Sequence, residues 1–314
     1  MPSSRTFPRR AFLQLAAVIP LGWTLPLTIH GITTGPPLPR RPLGKTGVST
    51  SLVGLSCGHL HFAPSPEEAR ALIRFFVDHG VNYYDTSPEY GGGLGEILLG
   101  EALAGDRGRI FIASKTRHRR AREAMDELRT TMRRLQTDYV DAWMIQNPSP
   151  EEFETCLTRG GIIEAMQYAR RAGMCRWIGL SGLSDPSWLH ETLDRYPFDV
   201  VQMPLNCADP HYLSFEREAL PNLDAKSIGI IGCKTFLMGL FTKIRSLTAQ
   251  EVLQYSLSLP VSCVLAGCST MEEARLDIAL AQRFTPLSSE QKEEIQLRSR
   301  PLSNRSVEWY KRMI

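Results

Sequence analysis

Short apolar runs alternate with amphipathic helical stretches from about residue 50 to about residue 283. The apolar runs at 51–57, 81–84, 110–114, 139–145, 175–180, 200–202, 228–233 and 263–265 read as strands. Between them, a 3.6-residue period predicts helices near 66–79, 94–104, 120–135, 151–173, 185–195, 213–226, 248–258 and 271–283. Pro66 and the Asp185-Pro186 pair suit helix starts, and Gly80, Gly105 and Gly173 suit stops. Eight strands with helices between them predict an α/β fold, a closed (β/α)8 TIM barrel spanning 43–286. A Pro-rich linker at 35–42 precedes it. A further helix over 288–300, inside a tail from 287 to 314, follows it, and the aromatic patch Val307-Glu-Trp-Tyr-Lys311 is placed to wrap the barrel or reach over its mouth.

Composition narrows the class. The chain has 314 residues, 43% of them hydrophobic and 22% charged, enough for one barrel. A formal charge of +3 is too small to imply nucleic acid, and the basic residues of 117–134 alternate with acidic ones, as on a solvated helix face. Seven cysteines show no paired spacing, and most fall in or just after the strands, which makes them buried, reduced hydrophobes. The N-terminal 34 residues differ in kind. Pro8-Arg9-Arg10-Ala-Phe-Leu-Gln14 and the apolar stretch to Ile29 resemble a bacterial twin-arginine export signal. Pro20, Gly22 and Pro26 would interrupt a core helix there. Such a signal implies the twin-arginine machinery as a partner and a periplasmic or exported destination, with an uncleaved membrane tether as an alternative because no small-x-small cleavage site is clear. That route carries folded proteins, so reduced core thiols agree with it.

Candidate chemistry sits at the carboxyl ends of two neighbouring strands, where barrel enzymes keep it. Asp85 ends one strand, Lys115 ends the next, and Tyr90 follows the aspartate by five positions. A phenol is a poor acid near neutrality, but a neighbouring ammonium favours its phenolate, so the trio reads as a proton-transfer device in which Lys115 lowers the Tyr90 pKa and Asp85 holds Lys115. Tyr90-Gly-Gly-Gly-Leu-Gly-Glu96 is not a phosphate loop, since Glu96 takes the last position of the G-x-G-x-x-G pattern.

Asp85-Thr-Ser-Pro-Glu-Tyr-Gly91, Gly95-Glu-Ile-Leu-Leu-Gly-Glu-Ala-Leu103, Arg41-Pro-Leu-Gly-Lys-Thr-Gly47 and Ser114-Lys115 resemble the aldo-keto reductases in order and spacing. Trp177-Ile-Gly-Leu-Ser181, Val201-Gln202, Asn206, Gly229-Ile-Ile-Gly-Cys-Lys234 and Gly267-Cys-Ser-Thr-Met-Glu-Glu273 extend the resemblance, which covers about 41 to 283. It implies a nicotinamide cofactor, NADP(H) or NAD(H), across the carboxyl end of the barrel. Ser181 and Gln202 would hold the carboxamide, and Lys234, Thr235 and Met238 the pyrophosphate. The segment 267–277, with Gly267, Ser269, Glu273 and Asp277, would grip the adenosine. It also implies a small carbonyl or alcohol substrate, with Tyr90 giving its proton as hydride arrives.

Three positions depart from the family. Gln146 stands where a fourth catalytic residue is a histidine; its amide can still donate a hydrogen bond but cannot be protonated. Cys233 stands where a large side chain stacks on the nicotinamide, and Glu273 where relatives carry a basic or neutral residue near the adenosine 2′-phosphate, a carboxylate that would repel a phosphate and so leaves NAD open beside NADP. Gln146 and Cys233 together motivate an alternative, a catalytically impaired nucleotide-binding relative. His59-Leu-His61 has a spacing found in metal hydrolases, but strands five and six end without further ligands, so no metal is expected. The two histidines are instead candidate substrate contacts, supplying the dipole that Gln146 replaces. Substrate specificity is expected to lie in 147–156, 206–215 and the tail.

Overall fold

In this computed structural model the described residues are 35–312, except 104, 183, 244 and 245, and the twin-arginine-like segment lies outside them. Two short antiparallel strands, β1 (Arg40–Pro42) and β2 (Ser49–Ser51), come first. Eight parallel strands then close a barrel: β3 (Val53–Ser56), β4 (Tyr83–Asp85), β5 (Phe111–Thr116), β6 (Val140–Gln146), β7 (Cys175–Ser181), β8 (Val200–Pro204), β9 (Gly229–Cys233) and β10 (Cys263–Ala266). Neighbours follow chain order, and β10 pairs with β3 to complete the ring. The predicted α/β (β/α)8 barrel is the observed fold.

The two-residue period of the strands sorts side chains between two cores. Tyr83, Phe111, Ala113, Ala142, Met144, Val200 and Ile231 fill the inside of the barrel. Tyr84, Ile112, Trp143, Ile145, Ile178 and Val201, one position out of step, pack outward under the helices. Continuing the inward set to the carboxyl ends brings Asp85, Lys115, Gln146, Ser181, Gln202 and Cys233 to the mouth. Ladder partners Gln146↔Ser181 and Ser181↔Gln202 fix three of these side by side.

The opposite end is closed by the hairpin. Leu43, fully buried, drops from its turn into the barrel interior. Gly44 (φ 50°) makes the turn, where a Cβ would lie 2.3 Å from Gly229 N. Arg41 ties the hairpin down by donating to Leu257 O, Leu259 O and Val261 O at 2.9, 3.1 and 2.9 Å. The stretch read as linker therefore ends in a paired strand, and the first strand read as 51–57 is divided between β2 and β3. Two helices read as continuous are broken. The stretch 151–173 forms Pro150–Leu157 and Ile162–Arg171, separated where Gly160 takes φ 72° and Gly161 lies so close to Cys156 O that a Cβ would sit 2.4 Å away. The stretch 213–226 forms Phe215–Glu218 and Leu220–Ala225, with Pro221 in the first turn of the second. All seven cysteines are free and buried. No helix among the described residues is long and apolar enough to cross a membrane.

Candidate active site

The mouth of the barrel opens into a cavity of about 480 Å3. Two residues of the proton-transfer trio, Tyr90 and Lys115, line it, and the third, Asp85, is hydrogen-bonded to both. Asp85 is fully buried at the end of β4, and its carboxylate takes a short hydrogen bond from Lys115 Nζ on the adjoining strand. Lys115 also donates to Thr86 O and to Tyr90 OH, both at 3.1 Å. Tyr90 OH donates to Asp85 Oδ2 at 3.1 Å.

Tyr90 reaches this position because the chain turns sharply after it. Gly91, Gly92 and Gly93 all take left-handed conformations, at φ 61°, 67° and 97°, which the glycine run permits at little cost. The ring lies on Gly58, where a Cβ would be 3.4 Å from it. Glu96 ties the following helix, Leu94–Ala102, to the lysine's strand, accepting from Ser114 Oγ at 3.3 Å, Thr131 Oγ1 at 2.8 Å and Arg134 Nη1 at 3.2 Å.

Burial raises the Asp85 carboxyl above its ordinary pKa, and Lys115 opposes that rise. The Tyr90 phenol is pushed well above the usual tyrosine value, first by burial and then by the Asp85 carboxylate. This reverses the direction read from sequence. The lysine does touch the phenol, but its charge is shared with Asp85, which it contacts directly and which also accepts from the same hydroxyl, and the dry site disfavours a phenolate. The trio keeps its proton on Tyr90.

Gln146 lines the cavity, and its Oε1 accepts from Ser87 Oγ at 3.1 Å, which leaves the amide NH2 to donate. All ten residues expected to hold a cofactor line the same cavity: Ser181, Gln202, Cys233, Lys234, Thr235, Met238, Gly267, Ser269, Glu273 and Asp277. Their chemistry fits an extended polar ligand. Gln202 Oε1, Thr235 Oγ1 and His59 Nδ1 are buried with no hydrogen-bond partner among the described residues, and buried polar atoms seldom stay unpaired. The Glu273 carboxylate caps the helix Met271–Gln282, accepting from Ser269 N at 2.8 Å and Thr270 N at 3.3 Å. One turn on, Asp277 is buried, and burial together with the Glu273 charge pushes its pKa up to about 8.

The two histidines part company. His59 lines the cavity over Gly267, where a Cβ would lie 2.4 Å from Nδ1, and burial with the nearby Lys234 charge takes its pKa down to about 4. It stands on the β10–β3 side, three strands round from Gln146, and lines the same cavity. His61 is exposed, has its ring centroid 3.8 Å from that of Phe62 at a tilt of 41° and does not line the cavity, which corrects its place as a substrate contact. Segments 147–156 and 206–215 also contribute no lining residue. Their expected place is taken by Phe62, Phe236, Leu237, Gly239 and Ala249, which sequence reading missed, along with Ser56 and Leu265. Leu276, within the segment 267–277 expected to grip the adenosine, also lines it, three positions after Glu273 on one helix face. No group of three or more His, Cys, Asp or Glu among the described residues is placed to hold a metal.

Comparison with known proteins agrees with this fold. The chain is 29% identical over 311 aligned positions to an L-galactose dehydrogenase of Arabidopsis thaliana, covering 84% of this chain and 95% of that one. It is 29% identical over 192 positions to the aldo-keto reductase YhdN of Bacillus subtilis, covering 56% and 54%. Among solved structures, the holo form of an aldo-keto reductase from Bacillus halodurans superposes with a TM-score of 0.72 at 23% identity, covering 83% of this chain and 96% of that one, a likeness of fold. The model of the aldo/keto reductase family matches residues 54–273, from β3 through the capped start of the last barrel helix. With more than two thirds of its length in that match and the same closed barrel, the chain belongs to the aldo/keto reductase family of NAD(P)H-dependent oxidoreductases.

Proposed function

We propose that the protein reduces an aldehyde or ketone to the alcohol, and runs the reverse reaction, with Tyr90 as proton donor. The observation that carries this is the Tyr90 hydroxyl held at 3.1 Å by both Lys115 and Asp85 under a cavity in which three buried lining atoms, Gln202 Oε1, Thr235 Oγ1 and His59 Nδ1, lack partners among the described residues. A nicotinamide dinucleotide, when bound, supplies or takes up the hydride. The chain's own residues do the rest. Tyr90 stays protonated through neutral pH and gives its proton only to a strong base, which an alkoxide developing from a carbonyl is. Lys115 donates to the phenolic oxygen throughout, so the charge left there is met by an ammonium already in place. Asp85 fixes that ammonium. The Gln146 amide is positioned to donate to the carbonyl oxygen, a neutral dipole where relatives keep a histidine, and the reaction then loses any step that needs histidine protonation.

Cys233, buried at the end of β9, offers little surface for stacking on a nicotinamide, so affinity rests on Ser181, Gln202, Lys234 and Thr235. The Glu273 carboxylate lies in the part of the cavity assigned to adenosine, where it would repel a 2′-phosphate, and NAD(H) is the preferred cofactor on that account. The N-terminal arginine pair supports export of the folded protein. The test is direct titration with NADH and NADPH followed by an aldehyde panel. Binding of either with turnover supports the reading, binding without turnover favours the impaired relative, and no binding refutes it.

A further inference from the structure

The end of the chain holds a buried ion cluster that the chemistry above does not use. Lys311 is fully buried, as are Asp209 and Glu308 beside it. Lys311 Nζ lies 2.8 Å from both carboxylates and donates to Tyr212 O at 2.5 Å. Asp209 is held in turn by Ser214 Oγ, Phe215 N and Glu216 N at 2.9, 3.1 and 2.8 Å. Desolvation offsets much of what such a cluster adds to stability, but its geometric demands fix where the tail docks.

What the docking fixes is a pair of rings. Tyr310 OH accepts from Asn206 Nδ2 at 3.3 Å and donates to Glu308 Oε1 at 3.2 Å. The Lys234 ammonium then lies 5.6 Å from the Trp309 ring centroid and 5.5 Å from that of Tyr310. Val307, Trp309 and Tyr310 face Lys234, Leu237 and Met238 across a narrow crevice. Those last three residues have left-handed backbones, at φ 60°, 45° and 56°. Non-glycine residues keep such conformations only where their surroundings enforce them. The tail is the surrounding on this side.

We propose that the C-terminal tail is a clasp for the dinucleotide, holding Lys234 and the loop through Met238 in the shape that receives the anionic pyrophosphate. The proposal rests on the reading of the cavity as a dinucleotide site. Aromatic faces suit the task because they orient an ammonium without cancelling its charge, as a carboxylate would. Trp309 and Tyr310 are thus positioning residues that act through Lys234.

The test compares wild-type protein with Trp309→Ala, Trp309→Phe and Lys311→Met, each titrated calorimetrically with NADH and NADPH and melted. Trp309 is 47% exposed, so its alanine variant keeps the fold even if Lys311→Met does not. Trp309→Ala should weaken dinucleotide binding by about three- to tenfold at unchanged Tm and unchanged kcat at saturating cofactor, and Trp309→Phe should restore it. Wild type that binds with Trp309→Ala within twofold of it overturns the clasp alone. Wild type that binds neither dinucleotide overturns the cavity reading as well.

Discussion

Replacing Tyr90 by phenylalanine separates the proton donor from the ion pair beneath it. The lost hydroxyl makes two hydrogen bonds, one given to Asp85 and one received from Lys115. Neither charge is orphaned by the change, because Lys115 and Asp85 remain in contact and Lys115 keeps Thr86 O. The stability cost should therefore be about 1–2 kcal/mol, a few degrees in Tm. Turnover should fall by about 100- to 10,000-fold, or about 2.7–5.4 kcal/mol of barrier, the range of a lost general acid. Lys115→Met has the opposite profile of damage. It leaves a carboxylate in a fully buried site without its cation, which should cost about 3–5 kcal/mol of stability in addition to activity. Steady-state reduction of a good aldehyde, thermal melting and dinucleotide titration on both variants separate these outcomes.

The pH profile of the wild type tests the same reasoning by sign. Reduction needs the phenol. Since burial and Asp85 raise the Tyr90 pKa above its ordinary value, the phenol persists throughout the neutral and mildly alkaline range, and kcat/KM should not fall there. A lysine-lowered pKa would instead make the reduction rate decline with an apparent pKa below about 10. Tyr90→Phe retaining activity within tenfold of wild type, or a wild-type reduction rate that falls between about pH 8 and 9 with Tyr90 as the titrating group, refutes the assignment.

Three further outcomes follow from the mouth and the N-terminus. Glu273→Gln removes a charge while keeping an oxygen to cap Ser269 N and Thr270 N, so it should improve NADPH binding relative to NADH by about three- to tenfold, less at high salt. Asp277 is protonated in the fold up to about pH 8 but ionises near pH 4 when unfolded; the native state binds the extra proton between those values, and stability falls as pH rises across the window. Asp277→Asn should thus leave Tm near wild type at pH 4 and raise it increasingly up to pH 8, as melts across that range would show, and a constant offset would count against it. Changing Arg9 and Arg10 together to lysine should retain the folded protein in the cytoplasm, read by cell fractionation with cofactor binding unaltered.

The mouth was legible in the sequence wherever strand periodicity alone sets direction. Asp85 and Lys115 each end an apolar run, so the alternation that buries Tyr83 and Phe111 inside the barrel also aims these two at its axis. Gln146, Ser181 and Gln202 follow from the same rule and from register. The hairpin was not legible, because three-residue strands containing Arg41 and Pro42 have no periodicity to read, and what holds them lies more than two hundred residues away at Leu257, Leu259 and Val261.

His61 failed for a different reason. Two histidines two apart would share a face on a strand, but Cys57–Phe62 is a 3-10 helix, which turns each residue by about 120° and sends the two rings to different sides. The Tyr90 pKa failed for a third. Sequence showed that an ammonium, a carboxylate and a phenol share one site, whereas the sign of the shift depends on burial and on how closely the hydroxyl meets the Asp85 carboxylate. Those are set by the left-handed run Gly91–Gly93 and by Gly58 beneath the ring, contacts that exist only once the barrel has closed. Residue types therefore specify which charges meet, and the packing around them decides which group keeps the proton.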